Sequence, residues 1–287
     1  MLSYRHAFHA GNHADVLKHV SLLVMLEHLQ KKDTPLLVVD THAGGGIYRL
    51  DSEAASKLAE FKEGVGRIWQ PESSAPAAVK DYLATVRELN QDGRLCNYPG
   101  SPRLICRALR PTDSARFFEL HPNEFKILAA NLPAANKVRA ENGDGLKELK
   151  SLLPPPSRRA LVLIDPSYET RADYEAVEET MRDAIKRLAT GVYAVWFPHI
   201  TRMEAKKFPA RLQKLAEGAS PRKLPWLLAS LRVRRPGQGE QAGMWGSGLF
   251  VLNPPWPLRG ALQEALPWLT AKLGQGGGAS WSIDGSE

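Results

Sequence analysis

Apolar positions recur at helical spacing over residues 12 to 32, where Val16, Leu17, Val20, Leu23, Val24 and Leu29 predict one helix that Asn12 can cap. The period then changes. "PLLVVD" (35 to 40) is a continuous apolar run ending in an acid, the pattern of a strand buried on both faces, and the glycine-rich turn "THAGGGIY" follows it. From about 51 to 98 the chain reads as polar and helical, with helices in "SEAASKLAEF" and "APAAVKDYLATVRELN" and no convincing strand. After "YPGSP" (98 to 102), strand-like runs at 115–120, 137–141, 160–165 and 192–197 alternate with helical stretches at 122–132, 144–153 and 170–189. Two later strands, near 224–234 and 247–253, have no clear helix between them and are expected to pair as an antiparallel hairpin. "PLRGALQEALPWLTAKL" predicts a last helix, and "GQGGGAS" opens a tail expected to be flexible from about residue 274.

Strands alternating with helices predict an α/β fold, doubly wound around a mostly parallel sheet. The expected organisation is a main domain beginning in residues 1–50, a helical insertion subdomain over 51–98, and the remainder of the main domain over 99–287. A chain of 287 residues, 43% hydrophobic and 24% charged, has the composition of an ordinary globular protein with one large core or two modest ones. No apolar run reaches the ~18 residues of a bilayer span. The opening lacks the apolar core of a secretion signal, so the cytoplasm is the expected compartment. Cys96 and Cys106 have neither metal-ligand nor redox-pair spacing. The net charge of +7 favours a polyanionic partner, a statement about association and not about fold.

Open α/β sheets bind ligands at the carboxyl ends of their strands, which makes those residues the candidates. The first strand ends at Asp40, followed by His42 and Gly44-Gly45-Gly46, where the backbone can turn sharply and approach a ligand. The second ends at Glu119, placed to accept both hydroxyls of a ribose. The third leads into Asp144-Gly145, where Asp144 can cap a helix or accept from an adenine amine. The fourth ends in Asp165-Pro166-Ser167-Tyr168. Together these four ends describe a nucleoside-containing cofactor site beside a substrate pocket.

"MLSYRHAFHAGNHADVLKH", "DTHAGGGIY", "YPGSP", "ELHP", "DG" and "NPPW" fall in an order that resembles one known family over almost the whole chain. It is the RlmJ family, enzymes that methylate N6 of an adenine in 23S ribosomal RNA, within the class I S-adenosylmethionine-dependent methyltransferases. The resemblance implies a Rossmann-like fold with an antiparallel last strand, and S-adenosylmethionine as cofactor. It implies that His19, His42, Ser101, Glu119, Asp144 and Gly145 bind that cofactor, with His19, His42 and Ser101 toward its methionine end. It further implies that Asp165 is catalytic and that Tyr4 contacts the RNA. The departure is Ser167, where the family has a second proline.

The amine of adenine is a poor nucleophile because its lone pair is delocalised into the ring. Asp165 and the carbonyl of Pro166 can each accept one N–H and aim that lone pair, with Tyr168 stacking on the extruded base. Only the residue-166 carbonyl is needed at this turn. The stiffness lost with the second proline is worth less than ~1 kcal/mol, and the Ser167 hydroxyl is expected to restore part of it by bonding locally. The rival tetrapeptide, Asn253-Pro254-Pro255-Trp256, ends the antiparallel strand and so falls on the opposite sheet edge. There it is expected to be a rigid turn with Trp256 packed underneath.

His6, His9, His13 and His19 invite a metal reading, but no acidic or cysteine ligands lie at fitting offsets, and no metal is expected. "SYRHAFH" instead interleaves aromatic and basic groups suited to single-stranded RNA. Arg158 and Arg159 are expected to be solvated surface. Arg232, Arg234 and Arg235 are candidates for phosphate contact or for simple surface charge, and Lys206, Lys207 and Arg211 are expected to share a helix that could also track a nucleic-acid backbone. The rival functions are a DNA adenine-N6 methyltransferase, a glutamine side-chain methyltransferase, and a non-catalytic RNA-binding module on a degenerate cofactor fold. The expected partners are 23S ribosomal RNA and no membrane, with the protein working as a monomer.

Overall fold

The structure, a computed structural model, describes residues 6–219, 223–236 and 243–286. Its strands are β1 (Leu37–Asp40), β2 (Ile47–Arg49), β3 (Asn97–Pro99), β4 (Ser114–Phe118), β5 (Val138–Glu141), β6 (Ala160–Ile164), β7 (Val192–His199), β8 (Trp226–Arg232), β9 (Gly246–Leu252) and β10 (Ser280–Gly285). Its helices are α1 (His13–Leu29), α2 (Glu53–Leu58), α3 (Glu60–Glu63), α4 (Ala77–Glu88) and α5 (Ser101–Ala108). They continue with α6 (Pro122–Asn131), α7 (Gly145–Leu152), α8 (Arg171–Arg187), α9 (Met203–Glu217) and α10 (Pro257–Leu273).

Eight strands form one sheet in the order β10-β8-β9-β7-β6-β1-β4-β5. The run β7-β6-β1-β4-β5 is parallel, and β9 lies antiparallel between β7 and β8. This is the doubly wound, Rossmann-like arrangement expected, with the anticipated hairpin as β8–β9. Strand order reverses at β1, which has β4 on one side and β6 on the other, and so opens a crevice at the carboxyl ends of these strands. Successive residues of the central strands serve opposite layers. Val38, Leu161 and Leu163 join a core under α1, α4, α5 and α10, while Val39, Val162 and Ile164 join one under α7, α8 and α9. Burial on both faces is why β1 and β6 read as unbroken apolar runs.

The segment 51–98 builds on the first of these cores. Val65, Ile68, Val79 and Tyr82 are buried in the same cluster as Val16 and Leu17 of α1. "SEAASKLAEF" is broken at Ala59, whose left-handed backbone (φ 52°) separates α2 from α3. β2 and β3 pair as an antiparallel ribbon at the two ends of the segment. Strands of three residues leave too short a pattern to read in advance.

Three expectations are corrected here. Residues 280–285 belong to no loose tail: β10 pairs antiparallel with β8 along its length. Without it β8 would be an open sheet edge, and "SWSID" alternates so that Ile283 packs against the core while its neighbours face outward. A chain ending at Gly278 is expected to melt a few degrees lower and to self-associate, as followed by thermal denaturation and light scattering. Unchanged melting of a monodisperse chain would remove that role from β10.

Trp256 is not packed underneath its turn but is 80% exposed, edge-on to His28 at 5.9 Å. The turn is fixed instead by Asn253, left-handed at φ 52°, whose Nδ2 donates to the carbonyls of Ala189 (2.8 Å) and Gly191 (2.7 Å). Because β9 is antiparallel to β7, the turn does lie at the edge away from the crevice. Arg159, finally, is a tie and not free surface. Its guanidinium donates to the carbonyls of Leu29, Lys32 and Thr34, and so anchors the segment joining α1 to β1, while Arg158 is exposed.

Candidate active site

The crevice is a cleft of about 560 Å³, within the range of small-molecule sites. Its walls include His19, His42, Ser101, Glu119, Asp144, Gly145, Asp165, Pro166 and Tyr168, so the fold gathers all the proposed site residues that it describes. Tyr4 lies outside the described residues.

One turn of α1 supplies the floor. Asn12 caps this helix, its side-chain oxygen accepting from the N–H groups of Ala14 and Asp15. Asp15, Lys18 and His19 follow, all buried. Lys18 Nζ lies 2.9 Å from Asp15 Oδ1 and 2.5 Å from Asp165 Oδ2, one ammonium between two carboxylates. Asp15 has further partners, His6 Nε2 at 2.9 Å and the N–H of Gly11 at 2.9 Å. Burial alone would raise Asp15, but His6 and Lys18 hold it well below the usual carboxylate range. Asp165 has less support. Burial pushes it above the usual range, and Lys18 pulls it back only in part. Burial would lower Lys18, yet the two carboxylates more than reverse this and keep it charged.

Sequence reading missed Lys18 and Asp15, because a lysine in mid-helix carries no sign that it is buried. The fold also brings acids to the N-terminal histidines: His6 to Asp15, and His9 to Glu60 at 2.9 Å. His19 Nδ1 is paired with the hydroxyl of Tyr98 at 2.9 Å, while its Nε2 is buried without a hydrogen-bond partner. Burial pushes His19 down to about 3 and His42 down to about 4, so both rings are neutral.

On the β1 side, Asp40 is fully buried behind the cleft wall. Its Oδ2 accepts from Ser101 Oγ at 2.6 Å and its Oδ1 from the N–H of His42 at 3.2 Å. Burial pushes Asp40 up to about 6. Asp40 thus fixes two of the proposed cofactor residues from behind. Glu119 accepts from the N–H of Gly44 (2.9 Å) and of His121 (2.7 Å), one bond to each oxygen, and each oxygen keeps a free lone pair. Gly44 is left-handed (φ +59°), and a Cβ there would lie 2.1 Å from the Tyr48 hydroxyl.

Asp144 performs the capping role, its Oδ1 accepting from the N–H groups of Leu146 and Lys147. Gly145, the first residue of α7, has a backbone N–H that the helix itself leaves unused. A Cβ on Gly145 would lie 2.4 Å from the Thr41 carbonyl and 2.8 Å from Phe118 Cβ. Gly145→Ala is therefore expected to push α7 from β1 and weaken binding of an adenine nucleoside about tenfold or more, read by calorimetry with S-adenosylhomocysteine.

Pro166 and Ser167 continue from Asp165, and the turn reverses at Tyr168, left-handed at φ 51°. The expectation that Tyr168 stacks on a base is corrected by its ring environment. The ring is 2% exposed, enclosed by Tyr174 (centroids 4.5 Å apart), Phe208 (5.7 Å) and Trp196 (6.2 Å), and its hydroxyl donates to the Trp196 carbonyl at 2.7 Å. A large ring at a strand end serves the second core better than it serves solvent. Tyr168 therefore holds the turn, and presents no open face. The Ser167 hydroxyl has no hydrogen-bond partner among the described residues, contrary to the local bond expected of it.

An acid just past the end of β4, the uncapped N–H of Gly145 and the carboxylate of Asp165 thus line one cleft at the carboxyl ends of a doubly wound α/β sheet. The family model described as "Ribosomal RNA large subunit methyltransferase D, RlmJ" matches residues 33–284. The chain is 44% identical over 273 residues to ribosomal RNA large subunit methyltransferase J of Escherichia coli (strain K12), covering 95% of this chain and 94% of that protein. It is 42% identical over 285 residues to the protein of the same name from Haemophilus influenzae, covering 99% and 98%. A crystal structure of a Legionella pneumophila protein superposes with a TM-score of 0.85 at 32% identity, covering 96% of this chain and 98% of that one. The chain belongs to the RlmJ family.

Proposed function

We propose that this protein transfers a methyl group from S-adenosylmethionine to N6 of an adenine in 23S ribosomal RNA. The observation that carries this reading is the placement of Asp165: a carboxylate at the end of β6, next to the cleft formed by β1 and β4, in a family of ribosomal RNA methyltransferases. The cleft residues fit a nucleoside cofactor. Glu119 has one free lone pair on each oxygen for a ribose, Gly145 offers an N–H for the adenine ring, and the orphaned His19 Nε2 can meet a polar group at the far end. When bound, S-adenosylmethionine supplies the electrophilic methyl group.

The chain's own groups prepare the acceptor. Asp165 and the Pro166 carbonyl each accept one N–H of the adenine amine and turn its lone pair toward the cofactor side of the cleft. Asp165 then receives a proton as the nitrogen loses its charge, and its raised pKa suits it to that step. Lys18, fixed by Asp15, holds the Asp165 carboxylate in place. Neither a metal nor a covalent intermediate is needed for these roles.

The test is transfer of radiolabelled methyl to 23S ribosomal RNA from a strain lacking the modification, followed by nucleoside analysis. N6-methyladenosine in RNA is the expected product. Label in DNA or protein alone would overturn the substrate, and cofactor binding without transfer would favour the non-catalytic reading.

A further inference from the structure

The turn that carries Asp165 has Ser167 where the resemblance implies a second proline, and the Ser167 hydroxyl has no hydrogen-bond partner among the described residues. Yet the turn is demanding. Tyr168 sits in the left-handed region at φ 51°, a conformation that is strained for a residue with a Cβ. A side chain remote in sequence meets the turn from outside. Arg202, the residue that precedes α9 at its N-cap, donates from Nη1 to the carbonyl of Tyr168 at 3.1 Å and to that of Glu169 at 2.6 Å. It forms no ion pair among the described residues, so its hydrogen bonds there go to this turn. The same helix sends Phe208 against the Tyr168 ring, 5.7 Å between centroids.

We infer that Arg202 is a positioning residue for the catalytic turn, holding by two hydrogen bonds the Asp165-Pro166-Ser167-Tyr168 backbone that a second proline would otherwise stiffen. The inference rests on the methyltransferase reading of Asp165 and adds to it how this chain tolerates serine. A charged donor shared between two successive carbonyls pins the peptide plane between them. Pinning Tyr168 from the far side restricts the three residues leading to it, and with them the Asp165 carboxylate and the Pro166 carbonyl. An arginine at this position acts on the orientation of the acceptors, and not on cofactor or RNA affinity.

The experiment compares wild type, Arg202→Ala, Arg202→Lys, Ser167→Pro, the Ser167→Pro/Arg202→Ala double variant and Asp165→Asn. It measures methyl transfer to 23S ribosomal RNA, cofactor affinity, and amide hydrogen exchange across Ser167–Thr170. Arg202→Ala is expected to lower kcat about tenfold, with KM for RNA and cofactor Kd unchanged, and to speed exchange in the turn. Arg202→Lys should fall between the two. Ser167→Pro should change the wild type little but return most of the lost kcat to Arg202→Ala, a rescue that a general loss of stability would not give.

Turnover of Arg202→Ala within twofold of wild type would overturn the inference, as would losses in the double variant that simply multiply. Should Ser167→Pro fail to fold, the kcat loss and faster exchange of Arg202→Ala alone decide the matter. If wild type itself transfers no methyl group, the enzymatic reading fails. The exchange measurement then still judges Arg202, and unchanged exchange would dismiss it.

Discussion

Asp165→Asn is expected to reduce methyl transfer by about three orders of magnitude while cofactor affinity stays within a few-fold. Asparagine keeps the size of the side chain and can still accept one N–H through its carbonyl oxygen. It cannot take a proton, and its amide faces Lys18 or the adenine amine with a donor where an acceptor is required. The two measurements are separable, since the half of the cleft proposed for the cofactor is held by Asp40, Ser101, Glu119 and α7 rather than by Asp165. The fold should tolerate the change, because Lys18 retains Asp15 at 2.9 Å. Full turnover in Asp165→Asn would remove the serine-bearing tetrapeptide from the chemistry.

Lys18→Met is the more damaging substitution for the protein as a whole. It leaves Asp15 and Asp165 buried near one another without the ammonium between them. Breaking a buried pair by removing one partner costs about 3–5 kcal/mol, and that loss should appear in chemical denaturation at neutral pH. The substitution also carries a signed pH effect. In the proposed mechanism Asp165 acts as its carboxylate, and burial already raises its pKa. Lys18 is the principal group pulling it back down, so without it the pKa rises further. The acid limb of the rate profile should therefore move to higher pH in Lys18→Met. A limb that stays in place, or shifts toward acid, would separate Lys18 from the ionisation of Asp165.

Much of the fold was legible because its central strands are buried on both faces. β1 and β6 advertise themselves as apolar runs that give out at Asp40 and Asp165, while β4 alternates around Arg116 before its apolar end leads to Glu119. The last helix was readable for a related reason, since Leu258, Leu262, Leu266 and Leu269 keep helical spacing on one buried side. β10 was illegible because a half-solvated edge strand needs few apolar residues, and glycines precede it. α9 was read only as the helix that Lys206, Lys207 and Arg211 share, because its polar positions hide the buried Phe208 and Leu212. The site divides in the same way. Residues at strand ends could be found from topology alone. Lys18 and Arg202 could not, because the turn after β6 that they meet lies far away in sequence, and Asp15 bears on the site only through Lys18. Tyr168 was found, but its motif suggested a stacking surface where the second core claims the ring.

The span between Lys18 and Asp165, 147 residues, fixes when a functional centre can exist during synthesis. β1 waits for β4 and β6 on its two sides, and the charged turn of α1 has no second carboxylate until residue 165 has been made. Contacts this distant in the chain form late and set the pace of folding. A nascent chain halted before β6 has Lys18 with Asp15 as its one carboxylate partner and lacks Asp165 altogether. On the proposed mechanism, products truncated before residue 165 are inert toward RNA methylation, and the molecule gains its acceptor groups only once the chain has passed the turn after β6.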